Sequence, residues 1–254
     1  MCLIFFSYKQ NPKYPLIVLA NRDEFYNREA SAAHFWKEHP YVLAGKDLKG
    51  GGTWLGVTKS GQLAMLTNYR DLTKIKPHAP TRGKLVLDYL IGSEKAQDYL
   101  LTLDKRAEAY NGYNIILGTV DSPLYYSNEQ RKIHQLKPGL YGLSNHLLDT
   151  EWPKVESGKK ELAAISMESK LDIGALFNIM MDKTIAPDNS LPKTGIEVEL
   201  ERSLSAKFIQ IPSYGTRCTT LFFMDNDRNL TFIERSYLPD TNSYTEASFQ
   251  FKVI

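Results

Sequence analysis

Cys2 is the residue with the most distinct chemical potential in this 254-residue chain. Once Met1 is removed, its thiol stands beside its own free α-amine. Such an amine titrates at about 7.7–8.0, so near neutral pH it can act as base. An N-terminal amine activates an N-terminal Thr nucleophile in this way, and the same logic suits Cys. Asn21-Arg22-Asp23-Glu24 is the second cluster, directly after the aliphatic run Leu16 to Ala20. A strand ending there, opposite one that begins at Cys2, would bring the two groups together. Arg22 would then depress the thiol pKa through its fixed charge, and Asp23 would hold the α-ammonium or orient the amine. Both features also have plain readings. Cys2 is a small apolar residue at the start of an edge strand, and the charged cluster is a solvated hairpin end, a reading that Arg28 and Glu29 fit better still.

Other catalytic patterns are missing from the sequence. Gly50-Gly51-Gly52-Thr53 lacks the Lys-Ser/Thr ending of a phosphate loop. The five histidines form no H-E-x-x-H and no pair three residues apart, so no metal and no cofactor is expected. Neither cysteine lies in a C-x-x-C. Cys218 sits in an apolar stretch and reads as a core thiol.

The elements that must position these residues alternate between strands and helices. Leu3–Phe6 and Leu16–Ala20 read as a hairpin across the Asn11-Pro12 turn. Leu55 and its neighbours after the glycine run pair with Leu63–Thr67 across Ser60-Gly61. Thr81 and Ser93 are candidate caps of two helices, the first carrying Val86, Leu87, Leu90 and Ile91, the second Ala96, Leu100 and Leu103. Strands resume at 114–119, 124–127, 132–136 and after Pro138-Gly139. Two helices follow, about 152–165 and 173–181, the second capped by Asp172. Residues 186–192 read as a loop. The chain closes with strands at 219–224, 230–235 and 248–253, the last with one wet face. Hairpins predominate, so an α+β fold of mostly antiparallel sheets under helical layers is expected, as one domain over residues 1–254.

Composition narrows the function. Lys and Arg total 31 and Asp and Glu 29, a net charge of +2, which argues against a nucleic-acid partner. No apolar run approaches a membrane span, and no signal peptide is legible at the start. A cytoplasmic protein without an integral membrane segment is expected.

Six short motifs occur in a fixed order: Met1-Cys2, Asn21-Arg22-Asp23-Glu24, Gly51-Gly52-Thr53-Trp54-Leu55-Gly56, Leu66-Thr67-Asn68-Tyr69-Arg70, Tyr141-Gly142-Leu143-Ser144-Asn145 and Tyr214-Gly215-Thr216-Arg217. The series resembles the NRDE family, the transport and Golgi organisation protein 2 family, over residues 1 to about 220. The resemblance implies an N-terminal-nucleophile (Ntn) hydrolase-like fold, a four-layer αββα sandwich. Within that group it is similar to choloylglycine hydrolases and penicillin V acylases. This implies Cys2, Arg22, Asp23, Asn145 and Arg217 as catalytic candidates, with Asn68, Asn21, Glu24 and Trp54 as oxyanion or pocket residues. Asn68 also suits ordinary turn chemistry, and Trp54 core packing. In the acylases the Arg and Asp are spaced along the strand, whereas Arg22 and Asp23 are adjacent. Adjacent strand residues point to opposite faces, so Asn21 and Asp23 should share one face, and Arg22 and Glu24 the other.

Two functions follow. One is a cysteine amidohydrolase that cleaves a C–N acyl-amide bond of a small-molecule substrate after removal of Met1. The other is a non-enzymatic carrier on the same scaffold for a hydrophobic ligand (a lipid, an acyl-CoA or haem), linked to membrane traffic. A glutaminase half of an amidotransferase also begins Met-Cys, but Leu3 stands where those domains usually carry Gly, and no synthase domain follows.

Overall fold

The computed structural model describes residues 2–239 and 243–254, with the backbone alone for Cys2. In chain order its strands begin with β1 (Cys2–Tyr8), β2 (Leu16–Phe25), β3 (Ala30–Phe35), β4 (Val42–Asp47), β5 (Leu55–Thr58) and β6 (Gln62–Asn68). Helices α1 (Gly83–Ile91) and α2 (Ala96–Lys105) follow, then β7 (Tyr113–Thr119), β8 (Ser122–Ser127), β9 (Lys132–Gln135) and β10 (Gly139–Leu143). After α3 (Pro153–Ser166), α4 (Ile173–Met180) and α5 (Val198–Ser205), the chain ends with β11 (Gln210–Ile211), β12 (Tyr214–Met224), β13 (Asn229–Tyr237) and β14 (Tyr244–Lys252). The fold is α+β with two antiparallel sheets, as the sequence predicts.

The chain forms two compact units. The first comprises Met1–Asn27 and Pro138–Gln250, the second Arg28–Lys137 and Phe251–Ile254. In the first unit the sheet order is β10-β1-β2-β12-β13-β14, with β11 beside β12. Leu3, Phe5, Ile17, Leu19 and Leu221 pack against Val155 and Leu162 of α3 and Leu176 and Phe177 of α4. The alternate residues Ile4, Phe6 and Val18 are equally buried. These central strands are therefore apolar on both faces, which explains the unbroken run Leu16 to Ala20.

The second unit is a meander in the order β3-β4-β5-β6-β7-β8-β9. Its core joins Leu66, Tyr113, Ile115 and Leu117 to Leu85, Val86 and Leu90 of α1 and Leu100 and Leu103 of α2.

Several boundaries differ from the sequence expectations. β2 runs on through Asn21-Arg22-Asp23-Glu24 to Phe25, so the cluster lies within the strand and does not follow it. Paired strands on both sides supply the ladder that keeps these polar residues extended. β3 and β4, unforeseen in the sequence, form a further hairpin. α5 also went unread, its short polar run Val198–Ser205 burying only Glu201, Leu204 and Ser205. Arg82 and Lys95 occupy the N-cap positions expected for Thr81 and Ser93, without a side-chain bond. Asp172 does cap α4, accepting from the Ala175 amide at 3.0 Å.

Candidate active site

Strand register assembles the candidate residues of the first unit. β1 and β2 pair Cys2 with Arg22, and β2 and β12 pair Arg22 with Cys218. β10 and β1 pair Leu143 with Ile4. Asn145 follows that pair by two residues, beyond the end of β10. Cys2, Arg22 and Cys218 thus form one row across three neighbouring strands. Asn145 is fully buried. The Cys2 thiol lies outside the described residues.

Arg22 is buried at 5% exposure on the row's own face. Asn21 and Asp23 point to the opposite, helix-covered face, as strand alternation requires. Asn21 Nδ2 donates to the carbonyls of Met180 (2.9 Å) and Lys207 (2.8 Å), and Asn21 Oδ1 accepts from Thr219 Oγ1 at 2.6 Å. Asp23 accepts from Thr216 Oγ1 at 2.6 Å. Burial pushes the Asp23 carboxyl above its usual range, against the pull of the Lys154 charge and of the Thr216 bond. Glu24, at the half-exposed end of the strand, accepts from the Phe25 amide at 3.0 Å.

Arg217 occupies a β-bulge. The β2–β12 register shifts between Thr216 and Cys218, leaving Arg217 as the extra residue. A bulge re-aims a side chain out of the alternation and is common beside active sites. Arg217 donates through one terminal nitrogen to the carbonyls of Phe25 and Tyr26, each at 3.0 Å. Its pKa is lowered by burial and then by the nearby charge of Arg22. Two guanidinium groups therefore share this region, a setting that favours a thiolate or a developing oxyanion.

Asn68 and Trp54 belong to the second unit. Asn68 ends β6 opposite Tyr113. Trp54 packs its ring over Gly45, where a Cβ would collide with it. The glycine run beside it is turn chemistry: Gly51 has φ 71° and donates to the Asp47 carbonyl, while Asp47 Oδ1 accepts from the Lys49 and Gly50 amides. Gly52 lies against the backbone of Gly83 with no space for a side chain. Arg28, read from the sequence as solvated, holds Asp47 through Nε and a terminal nitrogen at 2.9 and 2.7 Å.

Sequence reading missed the polar residues that hold these strands. Thr216, Thr219 and Thr220 are buried hydroxyls of β12. Glu234, 1% exposed, lies on the Arg22 face and accepts from Thr220 Oγ1 at 3.0 Å. The signal available was a Thr pair inside the otherwise apolar stretch Thr219–Met224. Among the described residues no group of His, Cys, Asp and Glu is arranged to hold a metal ion.

The chain is similar to known proteins over nearly its whole length. Residues 1–239 match the family model described as Transport and Golgi organisation 2. A Transport and Golgi organization protein 2 homolog of Bos taurus is 37% identical over 275 residues, covering 100% of this chain and 99% of its own. The human homolog is 36% identical, covering 97% and 96%. Among solved structures, a Caenorhabditis elegans N-acylethanolamine-hydrolyzing acid amidase ortholog aligns at TM-score 0.46 and 8% identity, over 87% of this chain and 92% of that one. A mutant conjugated bile acid hydrolase from Clostridium perfringens aligns at TM-score 0.44 and 10% identity, over 99% and 97%. The chain belongs to the Transport and Golgi organisation 2 family.

Proposed function

We propose that this protein is a cysteine N-terminal-nucleophile amidohydrolase that acts on a small-molecule acyl-amide after loss of Met1. The observation that supports the reading is the pairing of Cys2 with Arg22 across β1 and β2, with the Arg217 bulge next to it. The amine of Cys2 takes the thiol proton, and the sulfur attacks the amide carbonyl. Arg22 lowers the thiol pKa, and Asn145 supplies an amide donor to the tetrahedral oxyanion, a contact of a kind worth about 2.7–4 kcal/mol. The leaving amine departs with the proton, and water then hydrolyses the thioester. Asp23 lies on the other face from Arg22, so its role is toward the α-amine, a backbone group at the strand end that both faces can reach. Arg217 fixes the end of β2 and adds positive charge.

The interleaved units act as one domain in this reading, since the first is completed only by chain from both sides of the second. The location proposed is the cytosol, where the free Cys218 stays reduced. Among the described residues no helix is long and apolar enough to cross a membrane.

The test begins with the intact mass of untagged protein made from its own start codon. Loss of one Met is expected, followed by turnover on an acyl-amide panel that Cys2→Ala abolishes. Retained Met1 in an active protein overturns the self-activated mechanism. Saturable binding of a hydrophobic ligand that survives Cys2→Ala, with no turnover on the panel, would establish the carrier reading instead.

A further inference from the structure

The motif Tyr214-Gly215-Thr216-Arg217 contributes only Arg217 to the mechanism above. In the structure the whole motif lies along the end of β2, with Tyr214 opposite Phe25, Gly215 opposite Glu24 and Thr216 opposite Asp23. Tyr214 Oη donates to the Asp23 carbonyl at 3.0 Å, and Thr216 Oγ1 donates to the Asp23 carboxylate at 2.6 Å. Arg217 holds the Phe25 and Tyr26 carbonyls. Gly215 leaves no room for a side chain, since a Cβ there would collide with the Tyr26 hydroxyl and the Ile209 carbonyl. The motif is therefore a clamp on residues 23–26.

Thr216 is the member of the clamp that meets the carboxylate. A hydroxyl has one proton to give and two lone pairs to accept with. The Ile209 amide donates to Thr216 Oγ1 at 3.0 Å, and the Thr216 amide donates to the Ile209 carbonyl at 2.8 Å. Thr216 is thus fixed from behind, and its proton is directed at Asp23. The separation suits a hydroxyl bound to an ionised carboxylate, about 2.5–2.7 Å. Both residues are buried, at 4% and 1% exposure, and in such surroundings a hydrogen bond is stronger than in water.

The bond works against burial. Desolvation pushes the Asp23 carboxyl up and Glu24 adds to that push, while the Lys154 charge and the Thr216 bond pull it down. Lys154, on α3, lines a cavity of about 360 Å³ together with Lys207.

We propose that Thr216 is a positioning residue for the amide hydrolysis, holding the Asp23 carboxylate in the orientation from which it steers the α-amine of Cys2. This inference rests on the amidohydrolase reading. Without the hydroxyl, the buried carboxylate loses a donor and a restraint, and the amine is less well placed to take the thiol proton. Thr216 lies on the helix-covered face with Asp23, away from the Arg22 face, so substrate binding is spared.

The test compares Thr216→Val, which keeps the shape and removes the hydroxyl, with Thr216→Ser, which keeps the hydroxyl. Both are made as full-length protein that has lost Met1. On an acyl-amide that the parent turns over, Thr216→Val should lower kcat by about tenfold or more, the usual effect of losing a hydrogen bond to a charged group. KM should stay nearly unchanged, and Thr216→Ser should recover most of kcat. Melting curves at pH 8 give a readout that needs no activity. Thr216→Val should lower the melting temperature of the parent more than that of Asp23→Asn, because a bond to a carboxylate is stronger than one to a neutral acceptor. The lost Ile209 contact is common to both backgrounds and cancels. An undiminished kcat in Thr216→Val overturns the proposal, as does a Thr216→Ser protein as slow as Thr216→Val. An equal loss of melting temperature in the two backgrounds overturns it as well. A parent that turns over no acyl-amide removes the amidohydrolase reading and the catalytic role of Thr216 with it. The melting comparison tells that result apart from a failure of the Thr216–Asp23 clamp itself.

Discussion

Asp23 presents a conflict between burial and charge that can be tested by titration. A carboxyl whose folded pKa is raised binds more protons in the folded state than in the unfolded one. Ionising it therefore costs stability above the raised pKa, and the cost fades as pH falls toward the unfolded value of 3.8. Asp23→Asn keeps the acceptor for Thr216 Oγ1 and removes the charge. Its melting temperature should exceed that of the parent at pH 8, with the gain vanishing near about pH 4, while amide turnover falls. A melting temperature at pH 8 below the parent's would contradict this account. Arg22 allows a second prediction at the same scale. Arg22→Leu should raise the alkylation pKa of Cys2 toward about 8.5, the value of a free thiol. Peptide mass mapping separates Cys2 from the buried Cys218. Equal labelling profiles for the two proteins would remove Arg22 from the mechanism. The identities of Cys2, Arg22 and Asp23 were legible as chemistry in the sequence. Their faces were legible only as an alternation, and Asn145 joined the candidates through the family resemblance alone.

At the scale of the element, the site depends on how closely α3 approaches β1. A Cβ at Gly158 would run into the ring of Phe5. Gly158→Ala gains about 1 kcal/mol of helix propensity but forces an overpacked contact that typically costs about 1–3 kcal/mol. Packing should win, and denaturant titration should find a net loss of up to about 2 kcal/mol. Combined with Phe5→Leu, the loss should be less than additive, because the two positions share one contact. α3 and α4 were readable because an apolar stripe and the Asp172 cap coincide. α5 was not, since its eight residues bury little. The bulge at Arg217 is also silent in sequence, because one extra residue between two paired stretches changes the register without changing the hydrophobic pattern.

The whole molecule is assembled from interleaved units, and the C-terminal strand makes this concrete. β14 starts in the first unit, while Phe251–Ile254 belong to the second. Phe251 meets the Phe35 ring edge-on at 5.6 Å, and the Ile254 amide donates to the Lys59 carbonyl at 3.0 Å. Val253 is buried. Truncation after Gln250 removes these contacts and should destabilise the second unit by roughly 2–5 kcal/mol, the range for losing large buried side chains. Hydrogen exchange should rise first in β3 and around Lys59. Unchanged protection there would show that the tail contributes nothing to that unit.

The sequence by itself determined the α+β class, the family, most strands and four of the five helices, because period-2 and period-3.6 patterns and turn residues are local signals. It also determined which residue types had chemistry to offer. The tertiary structure alone decided that the Asn21–Glu24 cluster lies inside a strand, that Arg22 pairs with Cys218, and that Lys154 and Lys207 line one cavity. Each of these joins residues more than fifty positions apart or depends on a ladder formed by distant strands. Strand pairing and helix docking create such neighbours, and neither is written in the local pattern of the chain.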